Sequence, residues 1–381
     1  MLDALANVYG SLLVVRPPVP ATVNKAGANY KSEIAHLAYS PRGAYDEWLS
    51  ICEGIVACGG DALFAYEAAD DALLDAGDLA LDPDGALHPA GSPETLANIA
   101  DIETGRVFTA NGPWVTVRDR TLRAVMPNML AHRRGELPYY RDLLAAIADA
   151  AGCGVELTDN PHKWEGMADV AAVGDRVVLT HMVSGHYDAG TEPKSMRSTR
   201  DGGAFAADHA GVPDDQRVFA ELSYPHFHGD TVHFGARPKS RGPVLMHYAG
   251  GLYGDSARTV AATVGEANVV PITRDDAVDH YAGNSRQVRD GVLVPSGVSN
   301  SYVDSLAALG LTAHRIALFE LFGKAGGGPG CATLYLPANL ELPDNAPMRY
   351  SARRDEARAR RERYPETLVV EPEYFVGKTR G

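Results

Sequence analysis

Cysteine is scarce in this chain: 381 residues hold four, Cys52, Cys58, Cys153 and Cys331. So few in so long a chain cannot form a disulfide framework, and no zinc-type pair of pairs occurs among them, so a reducing cytoplasm is the expected setting. Long apolar runs are missing too. No stretch of about 20 uncharged apolar residues occurs, and no basic residues precede the short apolar stretch after Met1-Leu2-Asp3, so neither a membrane span nor a targeting segment is expected. Positive charge is in deficit. The 35 basic against 49 acidic residues leave a net charge of −14, which repels a nucleic-acid backbone or an anionic membrane surface. Charged residues make up only 22%, apolar residues 45% and aromatics 8%, the composition of a chain with a large packed core. At about 150 residues per domain the length gives roughly 2.5 domains, which also admits one large α/β domain.

Glycine, by contrast, is plentiful at 39 residues, which implies many tight turns and close backbone approaches. Apolar segments break at Gly or Asp-Gly in the manner of hairpins at Ala168–Thr180 (around Gly174-Asp175), Val218–Gly235 (around Gly229) and Gln287–Pro295 (around Asp290-Gly291). Helix-like stretches follow. Tyr302, Leu306 and Leu309 fall at helical spacing in Ser301–Leu309, which stops at Gly310, and Thr312–Leu321 then reads as a strand. Tyr140, Leu143, Leu144, Ile147 and Ala151 mark another helix, ended by Gly152, between a strand at Phe108 and one at Gly154–Leu157. Four hairpin-helix-strand units are counted, with room for a fifth in the N-terminal part. The acidic, Gly/Pro/Ala-rich segment at about 70–102 reads as a surface insertion. The charged stretch Arg349–Arg363 reads as a solvated outer helix, within an extension after about residue 340.

Four motifs could carry chemistry. In Gly326-Gly327-Gly328-Pro329-Gly330-Cys331 a glycine-rich loop presents a thiol at the start of an apolar strand. Free amide hydrogens there could stabilise an anion and favour the thiolate; the plainer alternative is a core cysteine after a turn, and a phosphate loop lacks its Gly-Lys-Ser/Thr ending. The run His226-Phe227-His228-Gly229-Asp230-Thr231-Val232-His233 alternates like a strand, which would point His226, His228 and Asp230 to one side. Three readings stand for it: a metal-binding run, core or solvent histidines, and a general acid/base histidine beside a substrate-binding aspartate. Glu165 and Asp169 lie four apart at the entry to a strand, where a buried Glu could orient a histidine or the pair could sit on an exposed turn. Phe108-Thr109-Ala110-Asn111-Gly112 ends an apolar strand with an amide able to meet a ligand, or is simply an Asn-Gly turn.

Taken together and in this order, the four motifs resemble the guanidino-group-modifying superfamily of arginine deiminases, dimethylarginine hydrolases, succinylarginine dihydrolases and amidinotransferases. The family pattern of aromatic-Thr-x-Asp/Asn, Glu-Gly-x-x-Asp, His-x-Asp-Thr and a Gly-rich loop before Cys corresponds to Phe108–Asn111, Glu165–Asp169, His228–Thr231 and Gly326–Cys331. The resemblance covers about residues 105–336 and, weakly, Leu12–Pro18. It implies an α/β fold, the five-bladed α/β propeller (pentein fold) of hairpin-helix-strand units with pseudo-fivefold symmetry, as a single catalytic domain over residues 1–381. It also implies that Cys331 is the nucleophile, His228 the acid/base and Glu165 the partner of its imidazole. Asp230 would bind guanidinium N–H groups, Asn111 would face the reacting group, and Asp169 would support that wall or only the turn.

Two departures from the pattern bear on the substrate. Arginine deiminases have Asp at the place of Asn111, whereas succinylarginine dihydrolases share Thr-Ala-Asn; a neutral amide tolerates a neutral ureido group, which admits a second hydrolysis. The deiminases also place an Arg before the Cys to grip the substrate carboxylate. Here that residue is Gly330, so Arg197, in Ser195-Met196-Arg197-Ser198-Thr199, or Arg286 would have to do the gripping. The expectation is a cysteine-dependent hydrolase of the guanidino group of arginine or a derivative, releasing ammonia and needing no cofactor or metal. Its partner would be a small guanidino compound, with no nucleic acid or membrane and with homo-oligomerisation left open. The alternatives are an amidinotransferase using the same thiouronium intermediate, a metal-dependent hydrolase on His226, His228 and Asp230, and a non-catalytic binding protein.

Overall fold

The structure is a computed structural model that describes residues 10–20, 38–81, 87–90, 106–183, 197–324 and 326–370. One connectivity recurs through it: two antiparallel strands, a helix packed against them, and a third strand that returns parallel to the second. Trp114–Arg118 and Thr121–Met126 form the first such hairpin, joined by Asp119-Arg120 at φ 48° and 55°. Positive φ at both turn residues matches the twist of the flanking strands. The helix Leu137–Ala150 buries Tyr139, Tyr140, Leu143, Leu144 and Ile147 on one face and is followed by Gly152 at φ 62°. Gly154–Asp159 then pairs parallel with Thr121–Met126.

The unit repeats three times. Val170–Val173 and Arg176–His181 are followed by the helix Arg200–Ala210 and the strand Arg217–Glu221. The Thr199 hydroxyl caps that helix by accepting from the Gly202 N–H, and Gly211 at φ 72° ends it. His233–Ala236 and Val244–His247 lead to Ser256–Val264 and Val269–Pro271. Arg286–Val288 and Gly291–Pro295 lead to Asn300–Ala308, capped by Ser299, and Thr312–Ile316. The fifth sheet joins distant parts of the chain. Leu12–Val14 lies between Leu334–Tyr335, antiparallel, and Asp61–Leu63, parallel, with the helix Pro41–Ala57 as its crossover.

A further four-stranded sheet runs Ala38–Tyr39, Leu368–Val370, Leu79–Leu81, Leu87–Pro89. Within the segment read as an insertion, Leu73, Leu74 and Leu79 are buried in the main core, while 82–86 and 91–102 lie outside the described residues. The C-terminal stretch lies on the Pro41–Ala57 helix. Tyr364 stacks 4.3 Å from Tyr45, Trp48 meets Tyr350 edge-on, and Arg361 pairs with Asp46. The charged helix Arg354–Arg360 adds Arg354 and Arg358 to Glu53. Among the described residues no helix is long and apolar enough to cross a membrane.

Three sequence expectations fail. Val218–Gly235 is not a hairpin: its first strand closes one unit and its last opens the next. Gly229 sits there because an added Cβ would meet Thr180 Oγ1 at 2.3 Å, so this glycine serves close packing rather than a strand turn. The strand from Thr312 stops at Ile316 and is followed by a π-helical turn, Phe319–Lys324. Neither the Phe108 segment nor the His226 segment is a strand: Thr109–Asn111 and Gly229–Thr231 are short 3-10 turns.

Candidate active site

Each of the five sheets begins its first hairpin strand just after a turn or loop, and these five segments hold the candidate site. Thr109–Asn111 precedes Trp114, Gly166–Asp169 precedes Val170, and Gly229–Thr231 precedes His233. Ala282–Asn284 precedes Arg286, and the glycine-rich loop with Cys331 precedes Leu334. The first and last segments are tied directly, the Ala110 N–H donating to the Cys331 carbonyl at 2.9 Å.

The Cys331 sulfur is buried between two side chains. Its thiol donates to Asp230 Oδ2 at 3.3 Å, and Asn284 Nδ2 donates to Sγ at 3.0 Å. The other Asp230 oxygen has no hydrogen-bond partner among the described residues. His228 Nε2 lies 3.1 Å from Glu165 Oε2, which also receives Arg197 Nη1 at 3.1 Å and Asn111 Nδ2 at 3.3 Å. Glu165 Oε1 accepts the Leu130 N–H at 3.1 Å. Thus Cys331 and Asp230 form one contact, and His228, Glu165, Arg197 and Asn111 form another; His228 and Asp230, two residues apart on one turn, link them.

Burial sets the protonation of these groups, modified by neighbouring charge. Burial alone pushes the Glu165 carboxyl up, but Arg197 and then His228 outweigh it and hold the group well below the usual carboxylate range. Asp230 is raised by burial. The Cys331 thiol is pushed well above its ordinary value, first by burial and then by the Asp230 charge, with the Asn284 bond pulling the other way. The resting group is therefore a thiol.

Several expectations change on this geometry. Asp169 accepts from Ser198 Oγ at 2.6 Å, Thr180 Oγ1 at 2.7 Å and the Gly229 N–H at 2.9 Å, so it fixes the His228–Asp230 turn. Arg286 is committed to the Cys331 loop: it donates to Thr333 Oγ1 at 2.9 Å and to the Gly330 carbonyl at 2.6 Å, over the Tyr335 ring. His226, His228 and Asp230 do not share a face. His226 Nδ1 meets Thr231 Oγ1 at 3.0 Å, away from the other two, and among the described residues no three His, Cys, Asp or Glu side chains are placed to hold a metal ion. Of the glycine-loop amides, the Gly328 N–H hydrogen-bonds Cys331 and favours its thiolate, as expected, but four others are not free. Those of Gly327, Gly330, Cys331 and Ala332 donate to Leu321, Asn284, the Asn284 side chain and Gly328. The glycines are needed for space: a Cβ on Gly327 would lie 2.1 Å from the Phe108 ring.

Asn284 was not singled out by its sequence, because Ala282-Gly283-Asn284-Ser285 reads as an ordinary turn. The signal available was positional: it precedes its sheet as Asn111 precedes another.

No protein-family model and no curated protein matches the sequence. Solved structures do match. The N-terminal domain of ArgZ, an arginine dihydrolase from the ornithine-ammonia cycle in cyanobacteria, bound to substrate, is 19% identical with a TM-score of 0.60, over 85% of this chain and 97% of that one. The same domain bound to product is 20% identical, also at 0.60, over 87% and 99%. AgrE in its binary complex with L-arginine is 19% identical at 0.59, over 88% of this chain but only 41% of that longer one. The chain therefore has the mixed α/β fold of these arginine dihydrolase structures.

Proposed function

We propose that this chain is a cysteine-dependent hydrolase of the guanidino group of arginine or an arginine derivative, working as one catalytic domain. The five sheets would be the blades of a propeller, with the five site segments at one end of its axis. The observation that carries the reading is the placing of Cys331 Sγ against Asp230, whose second oxygen is buried without a hydrogen-bond partner among the described residues, two residues along from a His228 held by an ionised Glu165. The likeness to structures described as arginine dihydrolases supports the same substrate chemistry.

Asp230 would take guanidinium N–H groups in charge-assisted hydrogen bonds. Its carboxylate then ceases to hold the thiol proton, and the bound cation favours the thiolate. His228 accepts the thiol proton, Sγ bonds to the guanidinium carbon, and the C=N π electrons move onto nitrogen. The imidazolium, stabilised by Glu165, returns the proton to an amino group, which leaves as ammonia and gives a cationic thiouronium. His228 next takes a proton from water as its oxygen attacks the same carbon. The C–S bond breaks with its pair going to sulfur, the imidazolium returns its proton to that sulfur, and the protonated urea loses its O–H proton to the released ammonia or solvent, leaving a neutral ureido product. Arg197 supports Glu165 and is the residue proposed for an anionic substrate group.

The test is incubation with L-arginine and N-acylated arginines, following ammonia, ureido product and final amine, with and without added amines. Ammonia release by the wild type and none by Cys331→Ala, at unchanged melting temperature, is expected. Undiminished turnover by Cys331→Ala would remove the covalent route, and new guanidino compounds formed only with an added amine would make the chain an amidinotransferase.

A further inference from the structure

We propose that Asn284 is a catalytic residue of this site, the side-chain donor that stabilises the Cys331 sulfur whenever it carries negative charge. The proposal rests on the reading of Cys331 as the nucleophile and adds a member to the machinery.

The side chain is fully buried and its three polar contacts fix its orientation. Asn284 Oδ1 accepts the Cys331 N–H at 2.9 Å, while Nδ2 donates to Sγ at 3.0 Å and to the Asp230 carbonyl at 3.2 Å. Turning the amide over would set NH2 against an N–H and one carbonyl against another, so the nitrogen must face the sulfur. The backbone around it is shaped to the same end. The preceding turn starts at Tyr281 in the left-handed region, φ 50°, and the Asn284 carbonyl accepts the Gly330 N–H at 2.8 Å. A non-glycine residue held there is uncommon.

The glycine pattern of the nucleophile loop fits around this amide. A Cβ on Gly328 would approach Asn284 Oδ1 to 2.8 Å and one on Gly330 would approach Asn284 to 3.0 Å. Glycine at both positions lets Asn284 reach the Cys331 backbone and sulfur together.

Opposed side-chain bonds thus meet at one sulfur, beside the Gly328 N–H, which also favours the thiolate. Asp230 accepts from the thiol and favours S–H; Asn284 donates to the sulfur and favours S⁻. Once a guanidinium engages Asp230, the Asn284 bond is left to act. It acts again when the C–S bond breaks and the sulfur departs with the bonding pair.

The experiment follows alkylation of Cys331 by iodoacetamide against pH, with Cys331→Ala protein as the blank for the other thiols. This readout needs no substrate, so it stands whether or not arginine is turned over. Asn284→Ala should move the thiol titration midpoint upward and slow alkylation near neutral pH. Asn284→Asp, nearly the same shape, should move it further because a carboxylate opposes the thiolate. Turnover in both should fall on the order of 100-fold or more, the usual loss for one donor to a developing anion. A merely structural role would loosen the loop instead, speeding alkylation at every pH with an unmoved midpoint. That result, or an unmoved midpoint in both variants, overturns the proposal; loss of the Cys331 assignment would show separately as an active Cys331→Ala enzyme.

Discussion

Asn111 places a neutral amide within 3.3 Å of a buried carboxylate, Glu165 Oε2, in a position where a carboxylate would face like charge. A neutral amide can hydrogen-bond a neutral ureido group, so under the proposed function the first product would bind again for a second attack. Wild-type protein should then release two ammonia per substrate consumed. Asn111→Asp should stop at the ureido product, because a carboxylate favours the cationic guanidinium and a charge-assisted bond is roughly twice as strong as a neutral one. Counting ammonia and ureido product for both proteins checks this. A wild type that accumulates stable ureido product is a deiminase, and two ammonia from the variant would remove Asn111 from the explanation. Cys331, His228 and Glu165 stand in local motifs that drew attention in the sequence, and the structure brings His228 to Glu165 at 3.1 Å. Asn284 was not legible there, since its meaning lies in contacts with residues 46 and 47 positions away, Gly330 and Cys331.

At the scale of the element, legibility followed the job each glycine does. Gly174 turns a hairpin at φ 64° and the sequence showed it. Gly229 makes room for Thr180, an identical letter with a different task, and the hairpin read from it does not exist. The helix Leu137–Ala150 was readable because its buried face repeats at helical spacing. The strand expected through Leu321 was not, because Glu47, on another helix, accepts the Glu320 and Leu321 N–H groups at 2.7 and 2.8 Å and holds the turn that replaces it. Gly327 belongs with Gly229: its neighbour is an aromatic ring 2.1 Å from where a Cβ would be. Gly327→Ala should therefore displace the loop or Phe108, lowering stability by about 1 to 3 kcal/mol as overpacked sites do. Turnover should fall far more than the melting temperature indicates. Chemical denaturation beside a kcat measurement tests it, and a fully active variant would show that the loop has slack.

For the molecule as a whole, acid tolerance depends on imidazoles that no proposed chemistry uses. His233 and His247 are paired across two strands with ring centroids 5.7 Å apart, and their ring nitrogens have no hydrogen-bond partner among the described residues. Burial lowers His247 to about 4 and His233 well below its ordinary value. The unfolded chain takes up these protons near pH 6.5, the folded chain only at lower pH, so their contribution to stability is present above that point and is lost as pH falls. Glu47 works against this trend: raised by burial to about 7, it takes its proton more readily when folded. The comparison must therefore be between variants. Relative to wild type, a His233→Leu/His247→Leu protein should gain up to about 1.4 kcal/mol per pH unit for each histidine as pH drops below 6.5. Denaturation midpoints at pH 7, 6 and 5 measure it, and a difference that stays constant with pH refutes it.

The fifth sheet pairs Leu13 with Tyr335, and its strand Leu334–Tyr335 starts three residues after Cys331. Translation delivers the first of these strands more than three hundred residues before its partner, and a contact of such sequence separation is among the slowest to form. Until then Leu12–Val14 has an unpaired edge, open to wrong partners. The same delay acts as a safeguard. The sulfur of Cys331, the nucleophile of the proposed reaction, enters its buried setting only when two strands more than three hundred residues apart have met.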